Sequence, residues 1–130
     1  MAKILIVEDE KDLSDLYSDT LKEAGHEIET TDDGQEAYDK MKQGGYDLVL
    51  LDVILPHLNG LLIMEKLKAE PPQVPNKIVI FLTNLDRNEE IDQGLSLANG
   101  YLIKSQITPV DLVREINLYL SGQKDQPAAQ

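Results

Sequence analysis

Leu48-Val49-Leu50-Leu51-Asp52 is an apolar run closed by an acid, and it repeats a pattern met earlier in Ile4-Leu5-Ile6-Val7-Glu8-Asp9. A short, wholly apolar run reads as a strand covered on both faces, the usual environment of a parallel sheet. Parallel neighbours end on the same edge, so Glu8, Asp9 and Asp52 are expected to crowd into one crevice. Two like charges ~4 Å apart cost about 4 kcal/mol at an effective dielectric near 20. Carboxylates gathered this closely either hold protons or recruit a cation.

Working outward, short apolar runs alternate with amphipathic stretches, the signature of βα repeats. Strands are predicted at Lys3–Val7, Glu27–Thr31, Leu48–Leu51, Lys77–Thr83 and Tyr101–Lys104. Ile4–Val7, Leu48–Leu51 and Ile78–Leu82 are apolar on both faces and belong in the middle. The charged alternation of His26-Glu27-Ile28-Glu29-Thr30 suits an edge, and short Tyr101-Leu102-Ile103 suits the other. Leu13, Leu16, Tyr17, Thr20, Leu21 and Ala24 share the spacing of one buried helical face, and Gly25 reads as the stop after it. Asp33 with Glu36 and Asp86 with Glu89 read as capping boxes. Asn59-Gly60 opens a helix running to about Ala69, the prolines at 71, 72 and 75 mark a loop, and Thr108-Pro109 starts the last helix. The expected fold is an α/β, (βα)5 doubly wound parallel sheet, in strand order 2-1-3-4-5. Such sheets bind ligands where the winding reverses, here between the first and third strands. Residues 1–120 read as one domain and 121–130 as a flexible tail or the start of a linker.

The 130 residues suffice for one hydrophobic core. A net charge of −12 argues against direct binding of nucleic acid or anionic membranes and favours cations, basic surfaces or other proteins as partners. Cysteine is absent, which rules out disulfides, thiol catalysis and thiolate metal sites and suits a cytoplasmic location. No apolar stretch approaches the ~20 residues that span a bilayer, and the start does not resemble an export signal.

Each candidate residue has an ordinary reading when taken singly. Glu8-Asp9 would cap a helix, Asp52 would be a turn acid before Pro56, Thr83 a β-branched strand residue and Lys104 a solvated cation. Together they lie at the ends of four predicted strands on one sheet edge, and the coincidence favours a site. An oxygen-only ligand set favours Mg²⁺, Mn²⁺ or Ca²⁺ over zinc or copper, and few carboxylates with room for waters and a phosphate favour Mg²⁺. His26 and His57 have no neighbouring ligand residues in sequence, and a solvated loop reading suits His57.

Asp52-Val53-Ile54-Leu55-Pro56-His57-Leu58-Asn59-Gly60 resembles the D-x-x-[M/L]-P-x-x-[D/N]-G motif of receiver domains of bacterial two-component response regulators. Glu8-Asp9, Thr83 and Tyr101-Leu102-Ile103-Lys104 follow that family in order and spacing, from residue 3 to about 120. The resemblance implies the same strand order, which chemotaxis receivers share. It implies a phosphorylation-dependent switch rather than an enzyme, with only self-catalysed phosphoryl transfer and autodephosphorylation. Asp52 would be the phosphoacceptor, taking its group from a sensor histidine kinase or phosphotransfer protein. Asp9, Asp52 and the backbone carbonyl of Ile54 would ligate Mg²⁺ (or Mn²⁺), with Glu8 acting mostly through water. Lys104 and the Thr83 hydroxyl would hold phosphoryl oxygens. Thr83 and Tyr101 would relay the change to a face of the fourth helix, fifth strand and fifth helix, which would meet a downstream protein or a second copy.

This chain departs from the family at Ser105, where proline is usual after the lysine, at Asn84, where a small residue is usual, and at Glu8, where aspartate is commoner. Ser105 and Asn84 keep a pseudo-receiver, a protein-interaction module without phosphorylation, as the alternative. An aspartyl-nucleophile phosphatase would want D-x-D, whereas Val53-Ile54 follows Asp52. A flavin or dinucleotide domain would want glycines or hydroxyls after the first strand, whereas Glu8-Asp9-Glu10-Lys11-Asp12 would repel phosphate.

Overall fold

The computed structural model describes residues 2–84, 94 and 96–122. The elements run β1 (Lys3–Val7), α1 (Lys11–Glu23), β2 (Glu27–Thr31), α2 (Gly34–Gln43), β3 (Leu48–Asp52), α3 (Gly60–Ala69), β4 (Ile78–Thr83), β5 (Gly100–Ile103), a 3-10 turn (Lys104–Gln106) and α4 (Pro109–Leu120). The predicted Asp86–Glu89 capping box lies outside the described residues, as does most of the predicted tail. The helix predicted as the fifth is therefore α4 here.

All strand pairs are parallel, and the order is β2-β1-β3-β4-β5. The three apolar strands are central, and Ile4–Val7, Leu48–Leu51 and Ile80–Leu82 are fully buried. Strand alternation sorts their side chains into two cores. Leu5, Val7, Val49, Leu51, Val79 and Phe81 pack with Ala37 and Met41 of α2 and Ile63 and Leu67 of α3. Ile4, Ile6, Leu48, Leu50, Ile80 and Leu82 pack with Tyr17 and Leu21 of α1 and Leu112, Ile116 and Tyr119 of α4. Burying a large aliphatic or aromatic side chain is worth about 1.5–3 kcal/mol, so these layers dominate the stability of the fold.

The helix ends follow their local sequence. Gly25, at φ +98°, closes α1 in a Schellman motif, with Gly25 N–H on the Lys22 carbonyl and His26 N–H on that of Leu21. Thr108 and Asp111 form a reciprocal capping box at α4, with Pro109 in its first turn. Asn59 caps α3 through Leu62 N–H at 2.9 Å. Asp33 caps α2 through Glu36 N–H at 2.9 Å, but its other oxygen goes to His57.

Some boundaries differ from expectation. β5 begins at Gly100 and ends at Ile103, so Lys104 opens a 3-10 turn instead of closing a strand. β4 starts at Ile78, and β3 continues through Asp52 because Val49 to Asp52 stay in register with Val79 to Leu82. On α1, Leu16 and Ala24 are exposed while Ser18 is buried, so the inward face is rotated toward Tyr17-Ser18-Leu21.

Candidate phosphoryl and metal site

The register brings the acids together. Val7 pairs with Leu51, so Glu8 and Asp52 leave adjacent strands at the same level. Leu82 pairs with Asp52, and Thr83 with Ile103, so Thr83 and Lys104 leave one and two residues further along. The backbone here is pinned by Glu8 N–H on the Thr31 carbonyl at 3.1 Å, Val53 N–H on that of Leu82 at 3.1 Å and Gly60 N–H on that of Val53 at 2.9 Å. A Cβ at position 60 would sit 2.4 Å from the Asp52 carbonyl oxygen. The glycine that opens α3 is therefore what lets the helix approach the strand end.

Glu8, Asp9 and Asp52 each offer an oxygen within 4.8 Å of the others. Glu8 and Asp52 are buried and Asp9 is exposed. The Lys104 ammonium lies between the buried pair, 2.6 Å from Glu8 Oε1 and 2.6 Å from Asp52 Oδ2. Asp52 Oδ1 accepts from Ile54 N–H at 3.1 Å, and Glu8 Oε2 accepts from Glu10 N–H at 3.2 Å. Glu8 thus serves the start of α1, where the N-cap residue Glu10 makes no side-chain cap, while its other oxygen faces the crevice. The capping reading and the site reading of this acid hold together.

Burial, and then the neighbouring Asp52, push the Glu8 carboxyl up to about 7; Lys104 pulls the other way. Burial works against the Lys104 charge, but the Asp52 and Glu8 carboxylates outweigh it and hold its pKa above the ordinary lysine value. Glu8 Oε1 is a buried oxygen with no hydrogen-bond donor aligned on it. The ammonium beside it neutralises the charge without completing its coordination. A set of three carboxylates with one such oxygen suits a hard divalent cation, and Glu8, Asp9 and Asp52 are the groups that could hold one.

Thr83 is buried, and its hydroxyl donates to the Asn84 carbonyl at 3.0 Å. Asn84 itself is exposed. Tyr101 is half-buried on the opposite face of β5 from Leu102, packed against the α2/α3 core that contains Phe81. Ile54 is exposed in the loop beyond Asp52. No peptide bond among the described residues is cis, and the turn at Ser105 still delivers Lys104 to Asp52.

Tyr17 was expected only as core. It is buried in the α1/α4 core, with its phenol pushed up first by burial and then by the Glu8 charge, which places the hydroxyl within electrostatic range of the acids. Helical spacing marks it as inward-facing but does not say which strand end it covers. His57 is an exposed loop residue, as its solvated reading expects, but both histidines have partners that the sequence did not show. His57 pairs through Nδ1 with Asp33, and His26 accepts from Ala2 N–H at 3.2 Å while its Nε2 lies 3.3 Å from Asn117 Oδ1. Those partners lie 24 or more residues away in sequence.

Residues 4–117 match the response regulator receiver domain. The chain belongs to that family. The receiver is 38% identical over 103 residues to the transcriptional regulatory protein CusR of Escherichia coli, covering 78% of this chain and 44% of that protein. It therefore spans less than half the length of that curated relative. Among solved structures it is similar to the Francisella response regulator 1452 receiver domain, with a TM-score of 0.81 and 26% identity, covering 95% of this chain and 100% of that one. It is also similar to the chemotaxis response regulator CheY4 of Vibrio cholerae, with a TM-score of 0.78 and 30% identity, over 90% and 97% of the two chains. The flavodoxin-like sheet order is thus shared with relatives, and the receiver is a signalling domain of two-component systems. No helix among the described residues is long and apolar enough to cross a membrane.

Proposed function

We propose that this receiver is switched by phosphorylation of Asp52. The observation that carries the reading is the pairing of a buried Asp52 carboxylate with Lys104 at 2.6 Å, beside two further acids. An Asp52 oxygen attacks the phosphorus of a phosphohistidine on a sensor kinase or phosphotransfer protein. A P–O bond forms, the P–N bond breaks, and the imidazole nitrogen keeps the electron pair. Such a transfer is mostly positioning and charge neutralisation. Mg²⁺, or Mn²⁺, held by Asp9, Asp52 and the Ile54 carbonyl with Glu8 behind them, supplies part of that neutralisation when bound. Lys104 stays on a phosphoryl oxygen as a point cation. The Thr83 hydroxyl, a rotatable donor, turns from the Asn84 carbonyl toward another.

Thr83 and Tyr101 share the α2/α3 side of adjacent strands, so Thr83 moving inward frees room for Tyr101. The change would reach the face of β5 and α4, where a downstream protein or a second copy would bind. Reversing a 1:99 equilibrium takes about 5.5 kcal/mol, within reach of a few charge-assisted hydrogen bonds. Residues 1–120 form the receiver in this reading and 121–130 a tail or linker start, and a cytoplasmic location belongs with it.

Intact-mass measurement after treatment with a small phosphodonor tests the reading. A gain of about 80 Da, one phosphoryl group, is expected with Mg²⁺ and not in its absence. Label persisting in Asp52→Asn would refute the assignment.

A further inference from the structure

The loop between β3 and α3 is tied to the start of α2 by three separate contacts, none of which the phosphoryl chemistry uses. His57 Nδ1 meets Asp33 Oδ1, while Asp33 Oδ2 caps α2 through Glu36 N–H. Gly34 N–H, one of the donors that a helix start leaves without an internal partner, goes to the Pro56 carbonyl at 3.1 Å. The Leu58 carbonyl oxygen then comes so close that a Cβ at position 34 would lie 1.7 Å from it. His57 holds this arrangement at φ 69°, a left-handed backbone that histidine adopts only at a cost. The imidazole also holds the Asp33 carboxyl below its ordinary range.

The tied loop is the one that leaves Asp52. Its first residues are fixed on the other side, with Val53 N–H on the Leu82 carbonyl and Ile54 N–H on Asp52 Oδ1. We propose that His57 and Asp33 are positioning residues, a clip that holds the β3–α3 loop against α2 and so sets how well the Asp52–Ile54 side of the crevice is arranged to take Mg²⁺. The inference rests on the metal reading above. It adds residues that touch neither metal nor phosphoryl group, and it makes α2, which packs on the sheet face shared with α3, part of the site's support.

A merely local contact and mechanical support predict different outcomes, which makes the clip testable. Trimming an exposed imidazole whose Nδ1 meets only Asp33 should leave Mg²⁺ binding unchanged if the contact is local. Losing the clip should weaken it. Asn tolerates the left-handed backbone at position 57, and at position 33 it caps a helix as well as Asp. Mg²⁺ affinity is measured by isothermal titration calorimetry on the full chain and on His57→Asn, Asp33→Asn and the double variant. His57→Gly serves as a second probe that suits the same φ. Each single variant is expected to bind Mg²⁺ about two- to fivefold more weakly, the range of an exposed ion pair. The double variant should be no weaker than the weaker single one. Unchanged or tighter binding in His57→Asn and His57→Gly, or losses that add in the double variant, would overturn the clip while leaving the metal reading intact. A wild-type chain that binds no Mg²⁺ would refute both.

Discussion

Lys104 and Asp52 stand 52 residues apart in the chain, and their side chains meet at 2.6 Å in a crevice that leaves each almost no exposed surface. The same ammonium touches Glu8, so one cation serves two buried acids from two different strands. Buried ions are costly to leave unpaired, and removing one partner typically costs about 3–5 kcal/mol.

Lys104→Met is therefore expected to lower stability in metal-free buffer by about 3–5 kcal/mol. Urea denaturation gives the value. Added Mg²⁺ should recover more stability in this variant than in the wild type, because the acids have lost their internal cation. A variant as stable as the wild type without metal would show that the ion pair contributes little.

The raised Glu8 carboxyl carries a sign. Unfolded, Glu8 releases its proton near the ordinary value of 4.5; folded and metal-free, it does so at about 7. Between those values the folded state holds more protons, so its contribution to stability falls as pH rises, and above about 7 the full penalty applies. Thermal melts of wild type and Glu8→Gln, compared from pH 4.5 to 8 without metal, should diverge in favour of the variant as pH increases. Parallel curves would mean that Glu8 is not held protonated.

Gly60→Ala places a methyl group 2.4 Å from the Asp52 carbonyl oxygen. Overpacking of this kind costs about 1–3 kcal/mol. The shift of α3 also moves the end of β3, so the loss should show both in the urea midpoint and as weaker Mg²⁺ binding in calorimetry.

Thr83→Val keeps the shape of the side chain and removes only its hydroxyl, which now donates to the Asn84 carbonyl. The metal-free chain should lose no more than about 1 kcal/mol, the net worth of such a bond, and its Mg²⁺ affinity should stay as it was. The response of the Tyr101 ring signals to phosphodonor, followed by NMR, is expected to shrink sharply. An undiminished response would remove Thr83 from the switch.

The strands and most of the caps were legible because their signals are local. Ile4–Val7 and Leu48–Leu51 are apolar throughout, and Gly25, Asn59 and Thr108 act on backbone groups within a few residues. The position of Lys104 was legible only as a strand end. Its place in a 3-10 turn depends on where β5 stops pairing with β4, and that is decided between strands. The tie of the loop residue His57 was not legible because its partner, Asp33, stands at the start of α2, 24 residues earlier in the chain.

By itself the sequence determined which segments form strands, which strands lie in the middle, and that acids follow two of them, because side-chain hydrophobicity and chain stiffness act along the backbone. Tertiary structure decided which acid is buried, which oxygen faces Lys104, and that the loop after Asp52 is tied to the start of α2. Those outcomes depend on burial and on charges brought within a few ångströms of each other, and no distance along the chain encodes them.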